Sequence, residues 1–203
     1  MTDTAGTGSG LQSKGDRTRQ SLIAAAIVRF AREGFRGTSV ADVCRDAGLS
    51  TTASYPYFAN KEALFVAAVD EDVAGLIDHA VSLVGIPSDS HWGHTMMRSL
   101  IERMAHHPLA GRIVAGLEPD FTMRLLDIPA LEQLRKGVAD LMRGLQLTGE
   151  VRSDVEPDQM ASGLVVIVIS LLMTAVQTGG AGFDLIGGDI EAVLDAATRA
   201  PQS

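Results

Sequence analysis

The stretch Gly34–Leu64, GFRGTSVADVCRDAGLSTTASYPYFANKEAL, decides the fold of this chain. Ser39 with Asp42 three residues on forms an acidic capping box, which supplies acceptors to the free amides of a helix start. Val40, Val43, Cys44 and Ala47 then recur at i, i+3, i+4 and i+7, one face of a short helix. Gly48 ends that helix, where a tight turn asks for positive φ. Ser50 is placed to cap a third helix rich in small polar residues, and Asn60 to cap a fourth that opens with Lys61 and Glu62. Short helix, glycine turn and second short helix are the punctuation of a helix-turn-helix, whose second helix lies in the DNA major groove. Pro56 falls inside that second helix and costs little only if the helix is already ending there.

Outward from this stretch the chain reads as all-α. Upstream, Ile23, Ile27 and Phe30 mark a helix from about residue 17 to 32 with Gly34 as its C-cap. Residues 1–15 are rich in Gly, Ser and Thr and are expected to be a disordered tail. Downstream, Val69, Val73, Leu76, Ile77, Ala80 and Val84 keep one face of a long fourth helix that Gly85 and Pro87 stop. Further helices are expected over 91–107, ended by Pro108, in two short pieces around 109–126, then over 130–147, 158–178 and 189–199. No alternating strand pattern is visible. The expected organisation is the tail, a three-helix helix-turn-helix domain over 16–62, and a larger helical domain over 63–203.

Charge supports two jobs in one chain. The net charge is -8, which by itself argues against nucleic acid. Residues 1–62, however, carry eight Lys/Arg against six Asp/Glu, and residues 63–203 carry nine against nineteen. Such asymmetry suits one part facing phosphates and another doing something else. Cys44 is the only cysteine, which excludes an intrachain disulfide. The N-terminus has no apolar signal-peptide core, and the most apolar run, 160–176, is shorter than the ~20 residues of a membrane span, so a soluble cytoplasmic protein is expected.

Thr51, Thr52 and Ser54 are small and hydrogen-bonding, as a groove-facing helix requires. Tyr55 and Tyr57 can donate hydroxyls to phosphate oxygens, with packing in the three-helix core the competing role for Tyr55. Lys61 opposes its own helix dipole, which makes sense opposite a phosphate. Phe30, Phe35 and Phe58 read as core. The runs TRQSLIAAAIVRFAREGF, GTSVADVCRDAGLS and, most specifically, SYPYFANKEALF resemble the TetR (tetracycline-repressor-like) family of bacterial transcription regulators over residues 17–66. The resemblance implies that Thr38, Ser39, Tyr57 and Lys61 clamp the DNA backbone. It further implies that Thr51, Thr52, Ala53 and Tyr55 face bases, and that Arg17 and Arg19 reach flanking phosphates.

In the second half, residues 158–178 are apolar all round, which asks for burial on all sides. Leu164, Val168, Leu171, Leu172 and Ala175, with Ile190, Val193 and Leu194 of the last helix, are the expected four-helix dimer interface, intramolecular core being the alternative. A homodimer suits DNA reading, since two half-sites about 34–36 Å apart need a two-fold protein. Trp92, Met96, Met97, Leu100, Met104, Phe121, Met123, Met173 and Gln177 are candidate lining for an effector cavity, methionine being adaptable filler; each is equally readable as core. The His91/His94 and His106/His107 pairs lack converging partners for zinc, so no metal site is expected. No constellation for catalysis and no cofactor motif is present. The expected function is a ligand-responsive homodimeric repressor of a palindromic double-stranded DNA operator, with no membrane partner. The alternative is a small-molecule-binding helical dimer without specific DNA recognition.

Overall fold

The computed structural model describes residues 13–83, 92–122, 127–179, 188–189, 192–194 and 196–199. Eight α-helices are delimited among them: α1 (Lys14–Gly37), α2 (Val40–Asp46), α3 (Lys61–Leu83), α4 (Trp92–Met104), α5 (Pro108–Val114), α6 (Pro119–Thr122), α7 (Pro129–Thr148) and α8 (Pro157–Gln177). A single 3-10 turn, Thr51–Ser54, stands between α2 and α3. Extended pairing among the described residues amounts to one isolated antiparallel bridge, Val151 with Arg199, which ties the C-terminal segment to the loop before α8.

Local chemistry sets most boundaries. Ser13 and Asp16 close a capping box at the start of α1, so the helix takes in residues that the composition assigns to the tail. Gly34, at φ +76°, breaks the helical geometry of α1, and only one further turn follows it. Ser39 and Asp42 cap α2 reciprocally as expected, and Asn60 Oδ1 accepts from the Ala63 amide at 2.8 Å. The helix expected over 91–107 ends at Met104, and Pro108 starts α5 rather than merely stopping its predecessor. Proline suits a first helical position because its missing N–H is not needed there.

Two Pro-initiated helices, α5 and α7, have no side-chain cap of their own at His107 and Ile128. Their free amides are met from α3 instead. Asp72, 5 % exposed, accepts from the Leu109 and Ala110 amides, both at 2.8 Å, and Asp70 accepts from the Ala130 amide at 3.1 Å. His107 Nδ1 lies 3.3 Å from the other Asp72 oxygen, and His79 pairs with Ser99 of α4 at 2.7 Å. The long α3 therefore organises α4, α5 and α7 through polar contacts as well as apolar ones.

One apolar core runs from α1 through α3 into α5–α8, joining the two expected domains. Its centre is a cluster of rings: Phe65 meets Phe30 at 4.9 Å, Phe35 at 5.1 Å and Phe121 at 4.4 Å, and Phe35 meets Phe121 at 4.6 Å. Offset and edge-on rings at such spacing gain about 0.5–1.5 kcal/mol a pair beyond burial. Phe121 thereby belongs to the core between the two expected domains. Gln177 is also otherwise engaged: its Nε2 donates to the Val114 carbonyl at 3.0 Å and closes the end of α5.

Helix α8 is long and apolar enough to cross a membrane, yet it packs one face against α4, α5 and α7. Leu172 and Ala175 are buried inside the protomer, Val168 and Leu171 pack against them, and Leu164 packs with Met142, Val151 and Met160. These five residues lie on the inward face, because the second helical domain needs them for its own core. The outward face instead carries Val166 and Ile167, 43 % and 38 % exposed, with Ser162, Gly163 and Ser170. Val193 is also exposed, Leu194 is half-buried, and Ile190 lies outside the described residues.

Removing the Asp72 acceptor orphans two buried amides. Asp72→Ala is expected to lower stability by about 1–3 kcal/mol, read as a shift of the urea midpoint. Asp72→Asn, which keeps one acceptor oxygen, is expected to lose less.

Candidate nucleic-acid interface

The recognition segment is held by its neighbours rather than by its own length. Arg29 of α1 clamps Asp46 of α2 with two hydrogen bonds of 2.6 and 2.7 Å, fixing the angle between the helices. The short α2 leads through Gly48, at φ +68°, into Ser50. There the expected third helix is replaced by the 3-10 turn Thr51–Ser54. Ala53 donates to the Ser50 carbonyl at 2.9 Å, and Tyr57 and Phe58 both donate to the Ser54 carbonyl at 2.9 and 3.0 Å. Pro56 has no N–H to extend the pattern, and the chain turns toward α3. Ser50 Oγ pairs with Thr52 Oγ1 at 3.3 Å and caps no amide.

This geometry sorts the side chains that the sequence brings forward. Thr51 and Thr52 are exposed, Ala53 is half-buried, and Tyr55, 73 % exposed, stands out from the three-helix core. Ser54 is fully buried beneath the turn, so it cannot face a groove. Phe58 is buried, with the Arg19 guanidinium 5.6 Å from its ring centre. Tyr57 is half-buried and packs on the core, and its hydroxyl lies beside Gly15 at the start of α1. Arg17 and Arg19 are exposed on the first turns of α1.

Three of the expected backbone clamps have internal work. Ser39 is exposed but occupied by the α2 capping box. Thr38, at 3 % exposure, is buried, and its Oγ1 has no hydrogen-bond partner among the described residues. A hydroxyl so enclosed is not available to a phosphate. Lys61 is half-buried: its ammonium donates to the Phe35 and Thr38 carbonyls at 2.9 and 3.1 Å and lies 4.2 Å from the Phe35 ring centre. Lys61 thus answers the free carbonyls at the end of α1, a role no sequence spacing shows because the partners are 26 and 23 residues away. The negative end of α1 attracts the cation that opposes the dipole of α3.

Of the expected effector-lining residues, Leu100, Met104 and Met173 do meet, in an apolar cluster with Leu76, Val114, Leu172 and Ala175. The side chains of Trp92, Met96 and Met97, and the whole of Met123, lie outside the described residues. No group of acidic, histidine or cysteine side chains arranged for a metal occurs among the described residues.

Residues 22–68 match the model of bacterial regulatory proteins of the tetR family. The transcriptional regulator AcuR of Cereibacter sphaeroides is 29% identical over 153 residues, covering 70% of this chain and 68% of its own. The transcriptional regulator UidR of Escherichia coli is 24% identical, covering 71% and 74%. A TetR-family regulator from Pectobacterium atrosepticum superposes with a TM-score of 0.68 at 21% identity over 95% of this chain and all of that one. The regulatory protein TetR of Rhodobacter sphaeroides gives 0.56 at 25% identity over 89% and 98%. The matched segment, the relatives and the fold together define a helix-turn-helix transcription regulator. Over residues 22–68 the chain carries the segment typical of tetR-family regulatory proteins, and it is a DNA-binding transcriptional regulator. A helical dimer without DNA recognition is not favoured.

The Ser39 hydroxyl and backbone amide, and then Arg45, hold the Asp42 carboxyl down to about 2 from its ordinary 3.8. A depressed folded-state pKa gives stability that is present above the ordinary value and is lost as pH falls toward the folded one. The α2 cap is therefore expected to persist at neutral pH and to loosen between about pH 4 and 2. In Ser39→Ala the Asp42 carboxyl is expected to titrate closer to 3.8, read from its carbon chemical shift by NMR.

Proposed function

We propose that this regulator is a homodimeric repressor that reads a palindromic operator and leaves it when a small molecule binds the second helical domain. The observation that carries the reading is the exposed row Thr51, Thr52 and Tyr55 on a short turn that Arg29–Asp46, Gly48 and Pro56 hold rigid. Thr51, Thr52, Ala53 and Tyr55 face bases; short side chains let the backbone approach the groove. Arg17, Arg19 and Tyr57 contact phosphates on either side, and contacts of that kind set register rather than sequence. Lys61 uses two of its three N–H donors on carbonyls, which leaves the third for a phosphate. Such a protein works in the cytoplasm and acts by binding alone.

The second copy docks on the outward face of α8 through Val166 and Ile167. An exposed apolar face between polar flanks favours a protein partner, and two-fold pairing matches a palindrome. The effector site lies around Leu100, Met104 and Met173. Differential affinity for a conformation with misplaced recognition turns is what lets the effector release DNA.

Selection from a random duplex pool at near-physiological salt tests the DNA reading. A palindrome with half-sites about one helical turn apart is expected; no enrichment by folded protein overturns it. Thr52→Ala is expected to relax preference at one position of each half-site, by about 1–3 kcal/mol of lost discrimination. Ile167→Glu is expected to give a soluble monomer by sedimentation; a variant that stays dimeric places the interface elsewhere, and one released from vesicles places α8 on a membrane.

A further inference from the structure

Phe35–Thr38 forms the elbow between α1 and α2, and it is gripped from both sides. From α3, Lys61 takes the Phe35 and Thr38 carbonyls. From the second helical domain, Glu118 Oε1, in the loop between α5 and α6, accepts the Phe35 amide at 3.0 Å. The same oxygen accepts from Arg112 Nε at 2.8 Å, and Arg112 reaches on toward the Ala31 carbonyl at 3.5 Å. Glu118 is 7 % exposed, so its charge depends on protein donors, the Phe35 amide and Arg112 among them. Phe121, one turn further on, packs its ring at a tilt against Phe35 itself.

The backbone around the elbow is shaped for this contact. A Cβ on Gly34 would stand 2.6 Å from Arg112 Nη2 and 2.7 Å from Glu118 Oε1, so the residue there must be glycine for carboxylate and guanidinium to come this close. Ser39, immediately after the elbow, caps α2, and α2 carries the recognition turn. Sideways movement of the elbow therefore displaces Thr51 and Thr52.

We infer that Glu118 is a positioning residue for operator binding: from the effector domain it fixes the α1–α2 elbow and so the stance of the recognition turn. The inference rests on the DNA-binding activity of the chain. What matters is the reach of the carboxylate oxygen to the Phe35 amide, 83 residues away in sequence. The Arg112 pair serves to aim that oxygen.

Two substitutions separate reach from charge. Glu118→Asp keeps the charge but draws the oxygen back by one methylene; Glu118→Gln keeps the reach and loses the charge. Full-length proteins are titrated against the duplex that the unaltered protein selects from the random pool, with hydrogen exchange of the Phe35 amide and sedimentation mass followed in parallel. Glu118→Asp is expected to bind about tenfold more weakly and to exchange its Phe35 amide faster at unchanged mass, with Glu118→Gln within about threefold of the parent. Wild-type affinity in Glu118→Asp overturns the inference. So does a Glu118→Gln protein as weak as Glu118→Asp with its Phe35 amide still protected, since charge rather than reach would then be the cause. A parent that selects no duplex fails earlier, and on the DNA reading itself.

Discussion

Helix α3 satisfies amides and carbonyls that other helices cannot satisfy locally. A helix leaves four N–H groups free at its start and four carbonyls free at its end. In α5 and α7 proline takes the first position and the residue before it has no capping side chain. Asp72 and Asp70 fill that need from α3, and Lys61 at the head of α3 fills the reverse need at the end of α1. Because buried amides are costly to orphan, α5 and α7 are pinned to one height along α3. The rest of the second helical domain, and the seat of the turn Thr51–Ser54, follow from that placement.

The two parts of the chain are not separate bodies joined by a rod. Phe30 and Phe35 of α1, Phe65 of α3 and Phe121 of α6 form one ring cluster across the expected boundary. Around its rim lie Glu118, Arg112 and Lys61, all directed at the final turn of α1 or the elbow after it. An apolar centre resists separation while a polar rim resists sliding, so a shift in α5 or α6 has a direct route to α2. A population shift between two such arrangements is a physical basis for coupling effector and operator.

The turn proposed to read DNA contains little regular structure. Thr51–Ser54 is too short to be stable alone, since helix nucleation is unfavourable. It is stable here because its ends are set by Gly48 and Pro56, its underside is the buried Ser54, and α2 beneath it is braced by Arg29–Asp46. A rigid short turn exposes Thr51, Thr52 and Tyr55 while spending no side chain on its own cap.

The sequence by itself determined the elements whose cause is local. The Ser39–Asp42 capping box, Gly34 and Gly48 at positive φ and the Asn60 cap each act within a few residues. Only the tertiary structure decided what depends on partners far along the chain. Lys61 turns toward α1, Phe121 joins the ring cluster, Gln177 closes α5, and Leu172 and Ala175 face inward while Val166 and Ile167 face out. An apolar helix such as α8 carries no periodic mark of which face belongs to its own core, because every side qualifies. Likewise a carboxylate such as Asp72 in α3, or Glu118 in the loop between α5 and α6, shows its purpose only when packing brings an unsatisfied amide within hydrogen-bonding distance.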